Sequence, residues 1–261
     1  MGETPFATLD RVDGRTRGRV DVTVVEATNA VGQDPATDSY TLVRLEAHVQ
    51  WVHRMGFGLY GAAGVVEGFR GGHRDRRVPS PEVGALYARR LHDAFDIITH
   101  AGIAYSRNNS FEPLLRESAA ARITDYARSV TDHSWYRFTV SPVIRVRPAV
   151  IRVDLGVDSR SSDPGDPMAA PEKKGPLLRF GIGAGLRSRC HQLGIEYAAF
   201  ADAGRPRGYR RQYQTAAASY RFGVGFAELF AAVTIPLSGP RERTDDAVGP
   251  SLMVGVDLLK R

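Results

Sequence analysis

From Thr41 to Val52 the chain reads TLVRLEAHVQWV, with Val43, Leu45, Ala47, Val49 and Trp51 alternating against Arg44, Glu46, His48 and Gln50. A period of two places the two sets on opposite faces of a β-strand. The same alternation recurs over residues 19–27, 39–52, 57–69, 82–91, 95–106, 134–146, 150–159, 176–188, 193–202, 213–223, 226–237 and 249–259. The spacing predicts about twelve strands.

The connections alternate in length. HRMG, HDA, RPA, CHQ and VG follow the even-numbered strands, whereas long polar stretches such as TNAVGQDPATD and RSSDPGDPMAAPEKKG follow the odd ones. Tight turns at one end and long loops at the other are expected of a barrel inserted from one side of a membrane, and a soluble sandwich has no reason to segregate them. One segment departs from the period of two. Ser110 to Val130 is rich in Ala, Leu, Arg and Glu, and Leu115, Ala119, Ile123 and Tyr126 fall near a helical stripe, so a helix is predicted in the third long loop.

The two strand faces differ in kind. One carries Val20, Val22, Val24, then Phe57, Leu59, Val65, then Ile151, Val153, Leu155, Val157 and their equivalents almost without interruption. The other mixes charge with very small residues, as in Arg179, Gly181, Gly183, Gly185 and Arg187. Glycine weakens a strand and packs nothing on a soluble surface. Inside a closed cylinder it makes room for long side chains from neighbouring strands, so the polar face is read as the interior. Trp51, Phe57 and Phe222 beside the tight turns, and Tyr105 and Tyr136 near the long loops, fit two interfacial girdles.

The prediction is an all-β chain: a closed antiparallel up-and-down transmembrane β-barrel spanning residues 19–261, preceded by an N-terminal periplasmic segment, 1–18. Composition agrees, with 43% hydrophobic and 25% charged residues over 261 positions. The net charge of +6 comes mainly from scattered arginine, which argues against nucleic acid as a partner. The single Cys190 excludes an internal disulfide and any CxxC metal site. There is no apolar run long enough for a membrane helix, but barrel strands need only about 9 to 11 residues. MGETPFATLDRVDGRTRG lacks the basic start and apolar core of a secretory signal, which reads as a cytoplasmic chain or a mature form given a new initiator Met.

Carried by the alternating strands, the RPA and CHQ type turns and the long charged loops, the chain resembles a bacterial outer-membrane β-barrel from about Arg19 to Leu259. The resemblance implies the outer membrane as location and its lipid bilayer as partner. The chain departs from many such barrels by ending VDLLKR, where they end in an aromatic residue.

Chemical motifs are few. GFGLYG satisfies G-x-G-x-x-G but opens a strand and not a helix, so no dinucleotide and no other cofactor or metal is expected. Asp96 and His100 share a face but lie roughly 13 Å apart along a strand. In TDHSW, His133 and Ser134 point to opposite faces, which leaves a nucleophile without its base. No enzyme is expected. The functional lead is the interior charge: Arg44, Glu46, His48, Arg137, Arg145, Arg152, Asp154, Arg179, Arg187, Arg221, Glu228 and Asp257 are expected to line the lumen. Arginine rows attract anions, so the expected role is a narrow channel for passive passage of small solutes, anions being the class it favours. The alternatives are a closed structural or surface-binding barrel with a salt-bridged lumen, and, third, a hydrolase. The loop residues Leu115, Ala119, Ile123 and Tyr126 are candidates for a constriction or cap. The solute and the oligomeric state are left open.

Overall fold

In the computed structural model the described residues are 6–9, 12–28, 39–70, 73–105, 124, 126–129, 134–160, 175–203, 212–238 and 247–259. They form thirteen strands in one antiparallel sheet: β1 (Arg17–Thr28), β2 (Ser39–Val52), β3 (Phe57–Arg70), β4 (His73–Arg77), β5 (Glu82–His92), β6 (Phe95–Ala104), β7 (Trp135–Val146), β8 (Ala149–Arg160), β9 (Leu177–Arg187), β10 (His191–Asp202), β11 (Gln212–Val224), β12 (Ala227–Ser238) and β13 (Ala247–Leu259). Each pairs with its sequence neighbour except at β4, past which β3 pairs with β5; β1 pairs with β13, and β2–β3 pairing closes the ring. Twelve strands make the cylinder, because β4 pairs only with the outer part of β3, Val66–Arg70, while β5 takes Phe57–Ala62. The sequence HRDRR carries no apolar alternation, and its strand character comes from pairing alone.

The tight turns are where the sequence puts them. Those after β2 and β11 use Gly56 (φ 93°) and Gly225 (φ 61°), a backbone region that other residues rarely adopt. Of the predicted loop helix, α1 (Tyr126–Ser129) is described; Leu115, Ala119 and Ile123 lie outside the described residues. No described helix is long and apolar enough to cross a membrane.

Burial is inverted relative to a soluble protein. Val49, Leu59, Ile195 and Leu229 are more than half exposed, whereas Arg19, Arg152, Arg221 and Glu46 are at most 2% exposed. Trp51, Phe57, Phe222, Tyr105 and Tyr136 all stand on the outside. The exterior is therefore a hydrocarbon-facing wall between two aromatic girdles, as expected of a barrel in a bilayer.

The described residues among the first eighteen, 6–9 and 12–18, are not set apart from the barrel. Phe6, Ala7, Thr8, Leu9, Val12 and Asp13 are buried within the cylinder, and β1 begins at Arg17. Inside, Phe6, Leu9 and Val12 find an apolar cluster and Asp13 finds cationic partners, which water on the tight-turn side does not offer.

Candidate functional site: the filled lumen

The polar strand faces meet along the axis, and their charges fall into three groups. Toward the tight turns, Asp257 accepts from Arg17 at 3.2 Å and from Arg221, and Glu228 lies 3.5 Å from Arg221 and 3.6 Å from Arg15. The Arg19 guanidinium lies 4.0 Å over the Phe230 ring and 3.1 Å from Asp21. Asp13, on the N-terminal segment, meets Arg15 at 3.3 Å and Arg17 at 3.5 Å. Burial alone would raise its pKa, but Arg17, Arg15 and the Arg15 backbone N–H bring it down to about 2.

At mid-height one carboxylate organises the segment. Glu196 accepts from the backbone N–H of Ala7 (2.8 Å), Thr8 (2.6 Å) and Leu9 (2.9 Å), and from the hydroxyls of Thr8 (2.6 Å) and Ser219 (2.6 Å). Three arginines donate to the carbonyls of the same segment: Arg221 to Phe6, Arg19 to Ala7 and Arg152 to Val12. The inward glycines admit it. A Cβ on Gly183 would stand 2.6 Å from the Phe6 ring, and one on Gly181 would stand 2.9 Å from Leu9.

Toward the long loops, Arg128 of α1 points into the barrel, donating to Glu46 at 2.8 Å and to the Ser80 carbonyl at 3.1 Å. Arg44 shares Glu46 at 2.8 Å. Arg137 reaches Glu82 and Asp158, and Arg179 holds Asp158 at 2.9 Å. Ala127, Arg128 and Ser129 are buried, so this turn of helix sits in the long-loop mouth.

Of the residues expected in the lumen, Arg44, Glu46, His48, Arg137, Arg152, Asp154, Arg179, Arg221, Glu228 and Asp257 are buried inside. Arg145 is half-buried and Arg187 exposed, both at the tight-turn mouth. Tyr126 opens α1. Arg17 could have been found by extending the first strand's alternation by two residues, and Asp158 already falls within the predicted strand 150–159, on the inward row of Arg152 and Asp154. Arg128 and residues 6–13 carry no such signal, because their partners are remote in the chain.

The acid, His and Ser positions weighed for hydrolysis are engaged elsewhere. Asp96 accepts from Arg90 at 3.2 Å and from Arg145. His100 Nδ1 lies 3.2 Å from the Tyr60 hydroxyl, which donates to Glu82 at 2.8 Å. His133 lies outside the described residues. Among the described residues, no cluster of three His, Cys, Asp or Glu side chains could hold a metal ion.

No family model matches the chain, and no curated protein does. Solved structures do match. An outer membrane channel from Pseudomonas putida F1 superposes with a TM-score of 0.64 at 9% identity, covering 97% of this chain and 100% of that one. The NanC porin gives 0.58 at 10% identity over 93% and 100%. The KdgM porin, in complex with disordered oligogalacturonate, gives 0.53 at 10% identity over 93% and 99%. Such low identity speaks for the fold, and the apolar exterior speaks independently for the bilayer. On both grounds, the chain is a transmembrane β-barrel of the bacterial outer membrane, built on the architecture of the porins and channels.

Proposed function

We propose that the protein is a narrow channel that passes small solutes, anions in preference, along an arginine-bearing lumen. The observation that carries this reading is a ladder of inward arginines on three adjacent strands. Arg137 and Arg179 stand toward the long loops, Arg152 at mid-height, and Arg145 and Arg187 at the tight-turn mouth. Arg44 and Arg221 add to it from other walls. Fixed cationic side chains at successive depths favour anion entry over cation entry. The full-length match to outer-membrane channels supports passage as the class of function, and the oligogalacturonate in the KdgM structure, an anion, supports the charge class.

A closed barrel is the second reading, and the hydrogen bonds at Glu196 favour it, since they hold residues 6–9 across the lumen. The two readings separate in planar bilayers. For the channel, the full chain carries a small current whose reversal potential in a KCl gradient reports anion preference. Deleting residues 6–13 enlarges the current, and Arg187→Glu reduces the preference. Silence before and after the deletion, with the barrel intact on gels, would leave the closed barrel as the answer.

A further inference from the structure

At the tight-turn end a cavity of about 580 Å³ opens between the turns of three neighbouring hairpins, β5–β6, β7–β8 and β9–β10. Its charged wall is Arg90, Asp93, Arg145, Arg147, Arg187 and Arg189. Five guanidiniums thus face one carboxylate in the wall, with Asp96 behind it taking Arg90 and Arg145. The sequence builds this twice over in the same way: Arg-Val-Arg at 145–147 and Arg-Ser-Arg at 187–189 each place one arginine on the strand end and one on the turn.

We propose that this cavity binds a small soluble polyanion bearing two or more carboxylate or phosphate groups. Three observations converge on that class. First, the three strand-end arginines stand on the lumen side and not the lipid side: Arg90, Arg145 and Arg187 continue the inward rows of the buried Ala88, Val143 and Gly183. An outer headgroup would meet the opposite row. Second, the site is held open by backbone hydrogen bonds across its turns, Arg145 N–H to Ala94, Arg187 N–H to Pro148 and Ser188 N–H to His191, at 2.8 to 2.9 Å. Third, guanidinium forks match carboxylate and phosphate oxygens in pairs. A monovalent ion gains little from any one exposed arginine in salt, but an anion with groups spaced across the three turns engages several at once. The volume is that of an ordinary small-molecule site.

This inference goes beyond the proposed passage, because a closed barrel would hold the anion equally well. The test is calorimetric titration of the full chain in an uncharged detergent with pyrophosphate and with citrate, acetate serving as the monovalent comparison. Expected is one polyanion per barrel, weakening steadily with salt, with acetate binding at least about tenfold more weakly. Arg147→Ala with Arg189→Ala, both on turns and away from the buried ion pairs, should lower pyrophosphate affinity at least about tenfold. A heat-modifiable band on gels, the same for wild-type and double variant, reports that the variant is folded. Equal affinity in the double variant, or acetate binding as tightly as pyrophosphate, overturns the proposal. A repeat in nanodiscs of phosphatidylcholine and of phosphatidylglycerol separates the sources: loss of pyrophosphate binding only in phosphatidylglycerol would assign the site to a lipid headgroup and overturn it as well.

Discussion

Glu196 shows how much one residue can decide. On a lipid-facing row it would be excluded from the bilayer, but on the inward row of β10 it gathers three backbone N–H groups and two hydroxyls. Hydrogen bonds to a charged group contribute about 1.5–3 kcal/mol each. Glu196→Ala is therefore expected to release residues 6–9 while leaving the strands paired. The measurement is amide exchange by mass spectrometry: Ala7, Thr8 and Leu9 should exchange at least about a hundredfold faster, with β9 and β10 unchanged. The inward glycines carry the complementary lesson. Gly156 makes room for Arg179 and Gly64 for Glu46, as the strand pattern predicts, but Gly181 and Gly183 make room for Leu9 and Phe6. A row of glycines tells that something approaches closely without telling what.

At the scale of elements, the regular strands follow the sequence to within two or three residues at their ends, since alternation is a local property of the chain. β4 and the N-terminal segment do not, because their placement depends on partners. The segment has a pH signature of its own. Asp13 titrates near 2 in place of its ordinary 3.8, so its ion pairs with Arg17 and Arg15 stabilise docking fully above about pH 4 and are lost as the pH falls toward 2. Exchange at Val12 to Thr16, corrected for the intrinsic rate, should stay flat from pH 7 to about 4 and rise below that. A rise already near pH 6 would point to a different anchor.

For the whole molecule, the inversion of burial makes a prediction that no soluble fold shares. Leu155 stands at the middle of β8, about half exposed, on the outer wall. Leu155→Arg should destabilise the barrel by about 2–4 kcal/mol in lipid, because the charge lands near the bilayer midplane. Glu26→Arg, outward but beside the long loops, should change stability by less than about 1 kcal/mol. Urea unfolding in phosphatidylcholine vesicles measures both, and a neutral Leu155→Arg would contradict a hydrocarbon-facing wall.

The sequence by itself determined the twelve barrel strands, their tight turns and which face of each meets lipid. All three are read from a period of two and from loop lengths, and a bilayer enforces that pattern at every rung. Tertiary structure alone decided what fills the cylinder. The backbone donors to Glu196 lie 187 to 189 residues away along the chain, and Arg128 and Glu46 are 82 apart. Contacts of that range leave no local periodicity behind, and an inward arginine looks the same in sequence whether it faces water, an acid on the next strand or a carbonyl of the chain's own beginning.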